Sequence, residues 1–190
     1  MTRHERLRIE LERYGASDAS EVRHRAAMLD LLSEPDAFDR GHFGPGHFTA
    51  SCYVIDAAGR LLLHHHRRLD RWLQMGGHVE GDESPELTAL REGAEESGLR
   101  DLALATDGIF DLDIHAIPAA KGEPDHDHYD VRYLARTASP GAIALDRAES
   151  NDLAWVTLAR AAELMPGAES HRVLRKIERL LAEYSERSLS

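Results

Sequence analysis

A chain of 190 residues carrying 34 Asp and Glu against 23 Lys and Arg, with a formal charge of −11, has the length of one domain and no basic footprint for long nucleic acid, whose binding rests on phosphate neutralisation. The single cysteine, Cys52, excludes an intrachain disulfide, fits a reducing compartment, and lies in an apolar run that suits a buried structural thiol. The charged start MTRHERLRIELERYG lacks the apolar centre of a leader, and no stretch approaches the roughly 18 apolar residues of a membrane span, so a cytoplasmic protein is expected.

In chain order, residues 3–14 and 18–33 read as a helical pair interrupted at Gly15-Ala16-Ser17, with Leu7, Leu11, Val22, Ala26, Leu29 and Leu32 among the apolar positions. A loop rich in Gly and Pro leads to a strand over 48–55, a turn at Asp56-Ala57-Ala58-Gly59 and a second strand over 60–65. Residues 85–97 predict a helix: Ser84 is a good N-cap, Pro85 suits the first turn and Gly98 the stop. Its expected buried stripe is Leu87, Leu90 and Ala94. Strands are expected over 103–117, 128–137 and 152–156, and helices over 158–165 and 171–186. This gives an N-terminal helical extension over 1–40 and a main domain over 41–190, together one compact unit.

On the 85–97 helix, Glu92, Glu95 and Glu96 lie at i, i+3 and i+4, where like charges repel. Arg91 can reach Glu95 or turn back to Glu83, which leaves Glu92 and Glu96 facing each other. A hard divalent cation resolves that repulsion; Mg²⁺ takes one or two carboxylates plus phosphate oxygens and keeps several waters, and Mn²⁺ can substitute. The wider pattern is Gly77-x5-Glu83-x7-Arg91-Glu92-x2-Glu95-Glu96-x-Gly98 followed by Leu99. Seven fixed positions match by chance on the order of once in a million chains of this length. On these residues the chain resembles the Nudix (MutT-like) hydrolase superfamily, over roughly residues 46–165.

The resemblance implies an α/β/α sandwich around a mixed β-sheet and a Mg²⁺-dependent hydrolase of a pyrophosphate bond in a nucleoside diphosphate joined to another group. Glu92 is then the base or base-side ligand, Glu95, Glu96 and the Gly76 carbonyl the metal ligands, and Arg91 and Glu83 the positioning residues. It also implies an additional acid from Glu149 or Asp152, and a homodimer as in many relatives. Two positions depart from the common pattern. Met75 stands where Pro often precedes the glycines, and Gly93 where an aliphatic side chain usually packs, so altered packing is expected rather than a lost ligand. Signatures that mark hydrolases of ADP-ribose, dinucleoside polyphosphates, NADH or coenzyme A are absent. The alternative reading is a catalytically silent domain of the same type that binds a nucleotide as a sensor.

For substrate, Arg67 and Arg68 can hold phosphates and Trp72 can stack on a flat group, or Trp72 can cover the sheet edge. Alternation places Asp111, Asp113 and His115 on one strand face and His126, His128 and Asp130 on another. If these strands pair, the cluster lines the substrate pocket, with a second site for Zn²⁺ or a similar ion as the alternative.

Overall fold

The structure, a computed structural model, describes residues 1–120, 122–148 and 150–187. In chain order the helices are α1 (Arg3–Arg13), α2 (Ala19–Leu31), α3 (Pro85–Ser97), α4 (Leu158–Leu164) and α5 (Ala168–Arg187). The strands are β1 (Gly46–Ile55), β2 (Leu61–His66), β3 (Arg71–Leu73), β4 (Met75–His78), β5 (Ala103–Leu104), β6 (Asp111–Ile117), β7 (His126–Arg136) and β8 (Ser150–Val156). β1 is the hub of the sheet: it runs parallel to β7 along its whole length and antiparallel to β4 and to the start of β2. β2 also carries β3 and β8, and β7 carries β5 and β6, all antiparallel.

Helices cover both faces of this mixed sheet, which is why Leu61, Leu62 and Leu63 are all buried although alternate side chains point to opposite faces. On one face Phe48, Ala50, Cys52 and Val54 of β1 and Val131 and Tyr133 of β7 pack with Leu7 and Leu11 of α1, Met28 and Leu31 of α2, and Ala89 of α3. On the other, Tyr53, Ile55, Leu61, Leu63 and Leu134 pack with Val173, Leu174 and Ile177 of α5. The layers are those of the expected α/β/α sandwich with helices at its N-terminus. No helix among the described residues is long and apolar enough to cross a membrane.

Local chemistry explains the boundaries. Thr2 and Glu5 form a reciprocal capping box on α1, and Asp18 caps α2 by accepting from the Ser20 and Glu21 amides. The turn between β1 and β2 is held by Asp56, whose Oδ1 accepts from the amides of Ala58 and Arg60 at 2.9 Å each. Helix α3 covers the expected span, with Ser84 capping it and Gly98 ending it at φ 77°.

Three expectations are corrected. Residues 103–117 are two strands, broken at Thr106-Asp107-Gly108, where Gly108 takes φ 81° and turns the chain. Residues 71–78, where no strand was expected, contain β3 and β4. The buried face of α3 is Ala89, Gly93 and Ser97, while Leu87 is 52 % exposed. A side chain at Gly93 would place its Cβ 3.0 Å from Leu102 Cδ1 and 3.1 Å from Cys52 Sγ, so the helix lies closer to β1 than an aliphatic residue there would permit.

Candidate active site

Two small residues set the centre of the site. β4 pairs with β1 so that Gly76 opposes Ser51 and Gly77 opposes Ala50. A Cβ at Gly76 would lie 2.8 Å from the Ala50 carbonyl oxygen, and one at Gly77 would lie 2.3 Å from Glu92 Oε1. The glycines thus bring the strand against β1 on one side and against the carboxylates of α3 on the other. The Gly76 amide donates to Glu96 Oε2 at 2.9 Å.

Arg91 does more than the sequence indicated. It donates from Nε to Glu83, from Nη1 to Glu92 Oε1 at 2.9 Å and Glu95 Oε2 at 3.1 Å, and from Nη2 to the His78 carbonyl. Burial works against its charge, but Glu83 and Glu92 outweigh that and raise its pKa. One guanidinium therefore binds three carboxylates and ties them to the β4 backbone, whereas Glu96 lies apart from it, buried against Gly76 and His64. His64 Nδ1 is 3.9 Å from Glu96 Oε1, but burial holds this imidazole at about 4, so at neutral pH the contact is not an ion pair. The donor set around Gly76 and Gly77 is carboxylate and peptide oxygen, chemistry that fits Mg²⁺, and the space a Cβ would fill at Gly77 is what lets Glu92 approach the loop.

A cavity of about 430 Å³ opens beside this loop. Gly76, Gly77, His64, His66 and Arg68 line one part, and Thr49, Ser51, His78, His115, His126, His128 and Asp130 another. Of the expected substrate residues, Arg68, His126 and His128 are in the lining. Arg67 instead donates to the Arg147 carbonyl, and Trp72 packs on the α5-side core and edge-on to His65. Asp152 is exposed and stands opposite His65 in the β2–β8 pairing, outside the cavity lining. Glu149 lies outside the described residues.

The Asp111 to Asp130 cluster divides in two. The β6–β7 register opposes Asp111 to Arg132, Asp113 to Asp130 and His115 to His128, so the two faces do coincide. Arg132, buried, donates to Asp130 at 2.8 Å, Asp113 at 2.8 Å and Asp111 at 3.4 Å. Asp111 is also held by Arg172 at 2.9 Å and by Lys176 at 2.8 Å, both from α5, and Lys176 pairs with the buried Glu21 of α2. Asp111 and Asp113 are therefore absorbed into a buried ion-pair network, which corrects their place in a pocket or second-metal set. Asp130 joins the network to the cavity by accepting from the Ser51 and Thr49 hydroxyls.

The imidazole half is larger than the sequence suggested. His47 opposes His128 in the parallel β1–β7 register, and its ring lies 4.9 Å from His128, 5.1 Å from His126 and 5.2 Å from His78 between centroids. Burial and neighbouring imidazoles lower His47, His78 to about 4 and His128 to about 2, so these rings are neutral at pH 7. Neither His47 nor His78 stood out in the sequence. A usable signal was present in the doubled Gly-His-Phe at 41–43 and 46–48, where Gly46 has φ 150° and a Cβ would meet the Asp127 carbonyl oxygen at 1.9 Å. That contact is what lets β1 begin directly beside β7.

Residues 45–176 match the NUDIX domain family. The chain is 29 % identical over 127 residues to a protein of Mycobacterium tuberculosis (strain CDC 1551 / Oshkosh) named as mutator protein MutT4, a stretch covering 67 % of this chain and 45 % of that protein. It is 31 % identical over 109 residues to a protein of Lactococcus lactis subsp. cremoris (strain MG1363) named as a DHNTP pyrophosphohydrolase, covering 56 % of this chain and 64 % of the relative. The chain thus spans between about half and two thirds of these relatives' lengths. Among solved structures, a C. elegans Ap4A hydrolase in a binary complex superimposes with a TM-score of 0.59 at 25 % identity, over 72 % of this chain and 98 % of the other.

Proposed function

This chain belongs to the NUDIX family, and on that footing we propose that it is a Mg²⁺-dependent hydrolase of a pyrophosphate bond in a nucleoside diphosphate derivative. The observation that carries this reading is the convergence of the Glu92 and Glu96 carboxylates on Gly76 and Gly77 of β4, which line the cavity. Glu92, Glu96, Glu95 and the Gly76 carbonyl would hold the ion. When bound, Mg²⁺ supplies charge neutralisation for the phosphate oxygens and acidifies water.

The protein's own residues do the remainder. Arg91 fixes the orientation of Glu92 and holds Glu83 and Glu95 at the rim, so the carboxylates are positioned before substrate arrives. Glu92 accepts the proton of the attacking water, and the phosphorus–oxygen bond to the leaving phosphate breaks as the new one forms. Arg68 makes no ion pair among the described residues, and at the cavity wall it is the cation for the departing or distal phosphate. The names of the relatives, a DHNTP pyrophosphohydrolase and an Ap4A hydrolase, support a small phosphorylated partner carrying a flat ring system. A cytoplasmic setting accords with the buried, free Cys52.

The test is turnover on a panel of nucleotide sugars, dinucleoside polyphosphates, nucleoside and pterin triphosphates and ADP-ribose, with Mg²⁺ and with EDTA. Metal-dependent release of a monophosphate or pyrophosphate from at least one member is expected. No turnover of any member with Mg²⁺ or Mn²⁺, together with thermal stabilisation by one of them, overturns hydrolysis in favour of nucleotide sensing.

A further inference from the structure

The imidazole cluster in the cavity wall has no role in the chemistry of the glutamates, and its construction points to a ligand of its own. His47, His126 and His128 each offer a ring nitrogen, and the three lie within 4.8 Å of one another. His47 is 1 % exposed, yet its Nε2 has no hydrogen-bond partner among the described residues, an arrangement that native interiors rarely keep. The other nitrogens of the cluster explain what that atom is for. His47 Nδ1 is 3.3 Å from the His42 carbonyl and His126 Nδ1 is 2.9 Å from the Pro124 carbonyl. A carbonyl only accepts, so both Nδ1 atoms carry the proton, and in a neutral ring Nε2 is then left with a free lone pair. A backbone carbonyl that fixes the tautomer in this way is the usual outer partner of a metal-ligating histidine.

We infer that His47, His126 and His128 form a binding site for one borderline divalent transition ion, Zn²⁺ or its like, with a fourth position open to the cavity. Three imidazole nitrogens are a ligand set for such an ion and a poor one for Mg²⁺, which prefers oxygen. Zinc–nitrogen bonds of about 2.0–2.1 Å place tetrahedral ligands roughly 3.4 Å apart, so side-chain rotation has on the order of 1 Å to close. The strands are fixed for this purpose. Gly46 brings His47 into register with His128, and His126 projects from the same face two residues earlier. The fourth position faces the cavity through His126 and His128, where it takes water or an anionic oxygen such as inorganic phosphate. The site stands whether or not the glutamates catalyse hydrolysis.

The experiment uses the full chain without an affinity tag, in millimolar Mg²⁺ to saturate the carboxylates, titrated with Zn²⁺ against a chromophoric chelator. One equivalent should bind at submicromolar free Zn²⁺. His47→Gln and His128→Gln should each weaken binding by about 100-fold or more, the upper range for losing even an outer partner. Glu96→Gln and the surface control His171→Gln should bind as the unaltered chain does. Absence of stoichiometric binding, its survival in both histidine variants, or its loss in Glu96→Gln overturns the site. If the variants do not fold, the unaltered chain decides through bound Co²⁺. Intense visible bands of a tetrahedral nitrogen site support the inference, and weak bands of an octahedral oxygen site refute it.

Discussion

Gly76→Ala and Gly77→Ala change adjacent residues in the same way, and the structure assigns them opposite consequences. At position 77 the atoms nearest the added Cβ are the end of a flexible side chain, 2.3 Å away at Glu92 Oε1 and 2.6 Å at its Cδ. Ordinary contact begins at 3.4 Å, so the carboxylate must retreat by about 1 Å. Gly77 is not among the positive-φ residues, so Ala brings no backbone strain, and a strand gains roughly 0.5–1 kcal/mol from the exchange. Stability should hold or rise. A catalytic group displaced by that distance costs on the order of 10²-fold in rate, about 2.7 kcal/mol of transition-state stabilisation. At position 76 the Cβ meets β1 backbone, 2.8 Å from the Ala50 oxygen and 2.9 Å from Ser51 Cα, neither of which can swing aside. Gly76→Ala should therefore lose about 1–3 kcal/mol of folding stability. Steady-state hydrolysis of whichever panel substrate turns over, with urea denaturation of each variant, reads both effects. Wild-type turnover in Gly77→Ala, or equal destabilisation of the two variants, refutes the reasoning.

The buried ion network should fail when its shared cation is removed. Arg132→Met uncovers Asp113 and Asp130 and is expected to cost about 3–5 kcal/mol in denaturant unfolding, while an unchanged midpoint would show that the carboxylates find other partners. For Glu21, burial opposes ionisation, but hydrogen bonds from Lys176, Ser17 and Tyr14 prevail and lower it from 4.5 to about 2. A depressed carboxyl stabilises the fold fully above pH 4.5 and loses that contribution as pH falls toward 2, so Glu21→Gln should be less stable at pH 7 and show a shallower acid dependence across that window. Parallel curves for the two proteins would contradict this. Gly93→Val should destabilise by about 1–3 kcal/mol through contact with Cys52 and Leu102, and Cys52→Ala should recover part of the loss in a double-mutant cycle. Strict additivity there would mean the two sites do not touch.

What the sequence revealed and what it concealed follow from the range of the interactions involved. Helix α3 was legible because Ser84, Pro85 and Gly98 act within one turn of its ends, and the β1–β2 turn because Asp56 bonds amides two and four residues ahead. The break at Asp107-Gly108 was a local signal that the apolar residues on either side obscured. The packing face of α3 was not legible, because apolar periodicity selects Leu87 while the close approach of β1 selects Ala89 and Gly93. Strands β3 and β4 are too short to show a period, and depend on β2 and β1 for their form. Arg172 crossing from α5 to Asp111 and His47 meeting His128 depend on pairings tens of residues apart, which one sequence does not encode in any local pattern.

The central claim is that the α3 carboxylates serve a metal-dependent hydrolysis, and Glu96→Gln tests it most directly. The amide oxygen of Gln can still accept from the Gly76 N–H, so the fold is retained while one anionic ligand is lost. With saturating Mg²⁺ and a substrate from the panel, kcat should fall by about 10²–10⁴-fold at an unchanged unfolding midpoint. Turnover equal to that of the unaltered protein would contradict the account.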